Sequence, residues 1–586
     1  MVKKLMSGNE AIAYGAYQAG VKVGAAYPGT PSTEVMENFA TYPGVYAEWS
    51  PNEKVALDVG VGAAYAGRRA MVAMKHVGLN VAADSLFYAS YTGVNAGLVI
   101  INADDPGLHS SQGEQDNRNY ARFARIPMVE PADSEEARQY VGVALEISET
   151  FDTPVLLRTV TRLAHSKGAV EFDGELQPVA PPAPDPPAYR RDPAKQVMLP
   201  ANARRRRPVV EERLQKLGEY AEQTTLNRIE PGDPELGIIA AGAAYQYARE
   251  VFPGASFLKL GLVYPLPRRL ILDFARRVKQ VVVVEELDPF LEEQIRLMGV
   301  TVRGKDIFPL YGEFSPHLLR QCAAAAGLVT PPPEEEDPRP PLVLPVRPPM
   351  LCPGCGHRGI FYVLKQLNVL VTGDIGCYTL GAAPPLGAMH TCGCMGAGIG
   401  VSHGIEKAGV QEPRVAVLGD STFFHSGMPP LVNVLYNRGA TTTIVLDNRV
   451  TAMTGHQDDP GTGRTLQGGE TTEVDIAALA RGMGYQRVDV VDPYELDQVT
   501  QVVREHLQSA EPSLIIARRP CVLSRREKHP APVVDADICV NCGTCLELGC
   551  SPLTQEEEHV SINVLLCNGC GLCVQVCPTG AIAFNA

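Results

Sequence analysis

Two cysteine runs of one design occupy the last sixty residues, and nothing else in the chain restricts its fold so tightly. The first is Cys539-x2-Cys542-x2-Cys545-x4-Cys550; the second is Cys567-x2-Cys570-x2-Cys573-x3-Cys577, followed by Pro578. Spacings of two, two and three before a proline let three thiolates hold one iron–sulfur cube while the fourth crosses to a second. This predicts one 4Fe–4S cluster on Cys539, Cys542, Cys545 and Cys577 and another on Cys567, Cys570, Cys573 and Cys550, with a one-residue loop insertion before Cys550. A structural zinc ribbon is the alternative, and eight ligands at this spacing weigh against it.

Fourteen of the fifteen cysteines lie beyond residue 350. No segment offers about 18 uncharged apolar residues, and the N-terminal MVKKLMSGNEAIAYGAYQAG is broken by Ser, Asn, Glu and Gln too early for a signal-peptide core. The expectation is a cytoplasmic protein with no membrane partner, whose thiols bind metal rather than each other. A net charge of −14 without an extended basic stripe argues against nucleic acid as a partner. The run Arg204–Arg207 is the exception and reads as a solvated linker.

A second constraint is the stretch Arg414 to Gln457. Two β-branched runs, Arg414–Leu418 and Thr441–Leu446, read as buried parallel strands joined by a helical crossover, Met428–Asn437. Each strand ends in a polar tip, Gly419-Asp420-Ser421 and Asp447-Asn448, and such tips line the ligand crevice of an open α/β sheet. Asp420 and Asn448 would bring a carboxylate and an amide oxygen together, a pair of hard ligands suited to Mg²⁺.

The fold class expected is α/β: doubly wound domains plus a smaller α/β domain and a C-terminal two-cluster domain. At 586 residues the chain is too long for one core. Residues 1–170 alternate strands (Val21–Tyr27, Ala70–Met74, Gly97–Asn102, Pro154–Arg158) with helices such as Glu53–Ala66. Residues 171–235 read as a Pro-rich crossing linker and 236–330 as a small α/β domain, in which LKLGLVYPLP has a structural role. A second Pro-rich linker covers 331–349, a further α/β domain 350–530, and the cysteine-rich domain 531–586.

The 414–457 stretch resembles the diphosphate-binding motif of thiamine diphosphate enzymes, which implies Asp420, Asn448 and the carbonyl of Val450 as Mg²⁺ ligands. Gly419, Ser421 and Thr454 fall at cofactor-binding positions, and Ser421 stands where the motif usually has Gly. The helix at Glu53, with Ala56, Gly60 and Gly62 spaced along it, is similar to the pyrimidine-side helix of those enzymes, and Glu48 is the rival for its glutamate.

Taken with YPGTPSTE, VVEELDPF, CPGCGHRG and DIGC, these motifs resemble the 2-oxoacid:ferredoxin oxidoreductases, most of all the alpha subunit of the indolepyruvate type. The resemblance implies oxidative decarboxylation of an arylpyruvate with coenzyme A to an aryl-acetyl-CoA, with electrons passed to ferredoxin. It implies catalytic roles for Glu53 and Thr30, a separate beta subunit that completes the coenzyme A site, and a hetero-oligomer such as α2β2. Cys352, Cys355, Cys377 and Cys521 match a third, proximal cluster of the family. The arginine that anchors the oxo acid in pyruvate-specific relatives is not placed by the sequence; Lys75, His76 and His109 are weak substitutes. Two alternatives remain: a non-oxidative thiamine decarboxylase, and an electron-transfer subunit of a larger complex.

Overall fold

The computed structural model describes residues 2–172, 174, 189, 191–331, 348–525 and 528–585. Two compact units are present, Met1–Pro341 and Leu342–Ala586. Among the described residues no helix is long and apolar enough to cross a membrane.

The first unit is built on two large sheets, beside the two-stranded pair Val2–Ser7 with Lys167–Phe172. The larger has seven strands in the order 262–264, 128–129, 155–160, 98–104, 70–75, 23–26 and 46–49. All its pairings are parallel except that of the 262–264 edge strand. Strands such as Leu98–Asp104 are buried along their whole length, as expected where helices cover both faces. Helix Glu53–Tyr65 lies close on this sheet: a Cβ at Gly60 would stand 2.4 Å from Val72 Cγ2. Here the small-residue spacing serves close approach.

The smaller sheet orders its strands 302–303, 280–284, 233–241, 255–260 and 228–230. Just past strand Ala255–Leu260, Leu262–Tyr264 leaves this sheet and pairs with Met128–Val129 of the larger one. The segment LKLGLVYPLP therefore stitches two sheets together. A buried ion network reinforces the join. Arg118 pairs with Asp116 at 2.5 Å and with Glu285 at 2.7 Å, while Arg158 pairs with Asp104 at 2.7 Å and with Glu130.

The expectation of a linker over 171–235 needs correction. Pro200–Ala221 is a 22-residue helix that buries Val210, Arg213, Leu217 and Ala221. Pro200 sits at its start, where a missing N–H costs nothing. The arginine run is not simply solvated, since Arg206 donates to the Tyr91 carbonyl at 2.7 Å and pairs with Asp152 at 2.9 Å. Arg213 donates to the Ser90 and Asp152 carbonyls at 2.6 and 2.5 Å. The proline-rich stretches at 175–188 and 332–347 lie outside the described residues.

The second unit centres on a six-stranded, all-parallel sheet ordered 391–392, 370–373, 414–419, 442–447, 513–518 and 487–491. Its C-terminal part adds two small antiparallel pairs, Val533–Val534 with Ile582–Ala583 and Leu553–Gln555 with Val560–Ile562. Gly419 is opposite Leu446 and Asp447 opposite Arg518, so the strand ends carrying Asp420, Asn448 and the segment leading to Cys521 are neighbours.

Candidate functional site

Strand register brings the polar tips of the second unit together. Asp420 is buried at 3% exposure, and it accepts the backbone N–H groups of Ser421 at 2.8 Å and Arg449 at 2.7 Å. Burial pushes its carboxyl well above the usual carboxylate range, and the neighbouring Asp459 and Asp447 add to that. One end of the Asn448 side-chain amide lies 2.8 Å from the Val450 carbonyl and 3.1 and 3.2 Å from the two Asp420 oxygens. Turned with its N–H₂ inward the amide donates to these oxygens; turned with its oxygen inward it makes a group of four acceptors that repel one another unless a cation lies between.

The rest of the pocket is close-set. A Cβ at Gly419 would come within 2.9 Å of the Tyr378 ring, so only glycine fits there. Thr451 donates to Ser421 Oγ at 2.9 Å and Thr454 to Gln457 Oε1 at 2.5 Å. Asp447 holds the Arg518 guanidinium at 2.6 Å.

Sequence reasoning missed Asp374, Tyr378 and Asp459. Asp374 is fully buried, accepts from the Tyr378 hydroxyl and from the Gly396 N–H at 3.0 Å, and burial raises it to about 7. Burial likewise lifts Asp459 to about 6. The signal for Asp374 was its place at a strand end in DIGC, next to a cysteine already singled out.

The cysteines gather into three sets. Cys352, Cys355, Cys377 and Cys521 lie together: burial raises the first three, with Cys355 at about 12 and Cys377 at about 11, and neighbouring thiols of the set, Cys521 among them, add to the rise. Cys377 also senses Asp420. In the C-terminal part, Cys545 has Cys577, Cys542 and Cys539 beside it, and Cys573 has Cys570, Cys550 and Cys567. These groupings are the ones the spacing predicts. Cys573 senses Cys545 as well, so the two C-terminal sets adjoin. The first set meets Cys570 through Tyr494, whose hydroxyl donates to the Gly354 carbonyl and whose own carbonyl accepts from Gln575 at 2.6 Å. Among these twelve cysteines only Cys542 is exposed. Among the described residues no three His, Cys, Asp or Glu side chains converge on a single ion; a cube spreads its thiolates over a wider sphere than one ion does.

In the first unit, Glu53 is the first residue of its helix, 5% exposed, with its carboxylate against Gly78. Asn52 caps that helix through a 2.9 Å bond from the Val55 N–H. Glu48 is half-buried and occupied, accepting from Tyr46 at 2.6 Å and Ser50 at 2.7 Å. Thr30 sits half-buried in the turn before helix Thr33–Phe39, and its carbonyl accepts from Ser110 Oγ at 3.4 Å. The Lys75 side chain packs on Gly29 of that turn, and burial lowers its pKa despite Asp105 and Glu53 nearby. His76 is buried against the Gly113 carbonyl at 3.0 Å. His109 pairs with Glu313 at 3.3 Å, away from Glu53 in its bonding.

Three segments match known families. Residues 374–517 match the C-terminal TPP-binding domain of thiamine pyrophosphate enzymes. Residues 14–225 match the thiamine-diphosphate-binding region of pyruvate flavodoxin/ferredoxin oxidoreductases, and 560–583 the 4Fe–4S binding domain. Over 619 aligned residues the chain is 40% identical to the indolepyruvate oxidoreductase subunit IorA of Archaeoglobus fulgidus, covering 99% of this chain and 97% of that one. Against IorA of Methanothermobacter thermautotrophicus it is 39% identical over 99% of this chain and 97% of that one. Against IorA of Pyrococcus horikoshii the identity is 39%, with coverages of 99% and 96%.

Proposed function

This chain belongs to the 2-oxoacid:ferredoxin oxidoreductases, among the indolepyruvate oxidoreductase IorA subunits, and from that footing we propose that its substrate is an arylpyruvate of the indolepyruvate class. The family reaction is a thiamine-dependent oxidative decarboxylation whose electrons leave through iron–sulfur clusters. In the proposed reaction the arylpyruvate and coenzyme A give an aryl-acetyl-CoA and CO₂, and two electrons pass singly to ferredoxin. A separate beta subunit, proposed as the partner in an α2β2 assembly in the cytoplasm, completes the coenzyme A site.

Thiamine diphosphate, when bound, supplies the electron sink that lets the 2-oxo acid lose CO₂. The residues present fit its metal. The Asn448 side-chain amide stands 2.8 to 3.2 Å from the Val450 and Asp420 oxygens, and with its oxygen turned inward that spacing matches adjacent corners of an octahedron, which at Mg–O distances of about 2.0–2.1 Å are about 2.9–3.0 Å apart. This oxygen cluster is the observation that carries the reading. Asp420, Asn448 and the Val450 carbonyl are therefore assigned to Mg²⁺, and Gly419, Ser421 and Thr454 to the diphosphate.

Glu53 is assigned to hold and return a proton at the pyrimidine ring, and Thr30 to offer its hydroxyl to the substrate carboxylate or ketone oxygen. Three 4Fe–4S clusters are assigned to the three cysteine sets, in the order Cys352/Cys355/Cys377/Cys521, then Cys550/Cys567/Cys570/Cys573, then Cys539/Cys542/Cys545/Cys577. The adjacency of the sets through Tyr494 and through Cys545 and Cys573 supports that order.

Anaerobic assay of the chain with its partner subunit tests the reaction. Indolepyruvate and coenzyme A should together reduce a viologen dye. Aldehyde release with no dye reduction would instead identify a non-oxidative decarboxylase.

A further inference from the structure

Arg358 belongs to the helix His357–Gln366 and is 1% exposed. Its Nη1 donates to the Leu548 carbonyl at 2.6 Å, and its Nη2 to the carbonyls of Leu351 at 2.7 Å and Cys352 at 3.2 Å. Nε meets no acceptor. Among the described residues no carboxylate pairs with this guanidinium, in contrast to buried Arg118 and Arg158, each of which holds two. A permanent charge so enclosed is costly unless an anion lies beside it.

The groups that could become that anion are thiols. Arg358 lines a small cavity together with Cys550, Cys567, Cys570 and Cys573. On its other side it binds the backbone of Cys352, and its charge is felt at Cys352, Cys355, Cys550 and Cys570. It thus stands between two of the three cysteine sets, and among the described residues the groups that shift Cys542, Cys545 and Cys577 include no cation.

We propose that Arg358 is a fixed cation shared by the clusters of Cys352/Cys355/Cys377/Cys521 and Cys550/Cys567/Cys570/Cys573, holding both at higher reduction potential than they would otherwise have. The proposal rests on the assignment of clusters to those cysteines. A cube with four thiolates is a net anion and gains one further negative charge on accepting an electron. A positive charge on the protein therefore favours the reduced form, net charge and hydrogen bonding being among the protein's levers on such potentials. Because arginine does not deprotonate in proteins, this stabilisation takes up no proton. Arg358 touches neither substrate nor the oxygen cluster; it acts through the cubes.

The test uses the full chain with its partner subunit, purified without oxygen, and follows the cluster signals by electron paramagnetic resonance during a redox titration. In Arg358→Gln the iron content should be unchanged. The equilibrium constant for one-electron reduction of the two cubes should fall at least about tenfold, which is about 59 mV for a one-electron couple. The cube of the Cys542 set is an internal control and should not move. Arg358→Lys, which keeps the charge, should stay at wild-type potentials.

Full iron with unshifted potentials in Arg358→Gln would overturn the proposal, as would a shift in Arg358→Lys as large as in Arg358→Gln. Should Arg358→Gln lose iron while Arg358→Lys keeps both cubes at wild-type potentials, the requirement for charge is upheld. Loss of iron in both variants would mean that the carbonyl hydrogen bonds are what matters, and the proposal fails. A wild-type chain without a reducible signal from these cysteines would remove the cluster assignment itself, a separate outcome.

Discussion

The backbone N–H of Cys521 donates to the carbonyl of Asn448 at 2.9 Å. One hydrogen bond therefore separates the proposed metal ligands from the first set of thiols, because the strands Thr442–Asp447 and Ser513–Arg518 are paired through their last residues. A defect in the oxygen cluster need not disturb the thiols across that bond, and the two can be tested apart.

Asp420→Ala should abolish Mg²⁺-dependent binding of thiamine diphosphate. The loss should exceed the ~10–100-fold typical when a group one step removed from a metal is lost. The visible absorbance of the iron–sulfur clusters should be unaffected. Calorimetric titration of the cofactor with and without Mg²⁺ measures this, and unchanged affinity would withdraw the metal assignment.

Glu53→Gln should lower turnover by ~10²–10⁴-fold, the range typical of a general acid–base group. Iron content and circular dichroism should match the wild type. Glu48→Gln should retain near-normal activity, since Glu48 is engaged by Tyr46 and Ser50. The reverse pattern would move the pyrimidine role to Glu48.

Iron analysis separates two clusters from three. A fully loaded wild-type chain should carry about 12 iron atoms and Cys521→Ser about 8, three cubes and two at four irons each. Equal iron in the two proteins would end the assignment of a cluster to Cys521.

Glu286 should make the first unit's stability depend on pH. It is buried, accepts the Phe314 N–H at 2.8 Å, and is raised by burial from 4.5 to about 7, with Arg158 opposing and Glu313 and Glu130 adding to the rise. Between these values the folded chain binds a proton that the unfolded chain releases. This contribution is therefore complete below pH 4.5 and is lost as pH climbs through about 7. Melting temperatures across that window should fall less steeply for Glu286→Gln than for the wild type; parallel curves would refute the effect.

Much of this architecture could be read in the sequence where the physics is local. β-branched runs ending in Gly-Asp and Asp-Asn gave strands with polar tips within a residue or two of Arg414–Gly419 and Thr442–Asp447. Cysteine spacing foretold which thiols become neighbours. Hidden from it were features set by partners distant in the chain. Helix Pro200–Ala221 was masked by prolines and arginines whose partners, the Tyr91 carbonyl for Arg206 and the Ser90 and Asp152 carbonyls for Arg213, lie some sixty to over a hundred positions earlier. Leu262–Tyr264 falls within the span read as the small α/β domain, yet it pairs with Met128–Val129 in the other sheet. Arg358 stood in plain view within CPGCGHRG, but that no carboxylate among the described residues pairs with it is a fact of three dimensions.

Among the twelve thiols of the three sets Cys542 alone is open to solvent, and every other member is at least partly covered. Air should accordingly damage the chain from the outside inward. With clusters held as proposed, a briefly exposed preparation would lose the cube of the Cys542 set first and keep the other two, so most of its iron would survive while its capacity to discharge into a soluble acceptor would not. Iron content alone would then overstate how much competent enzyme a sample contains, and the shortfall would appear only when electrons are asked to leave.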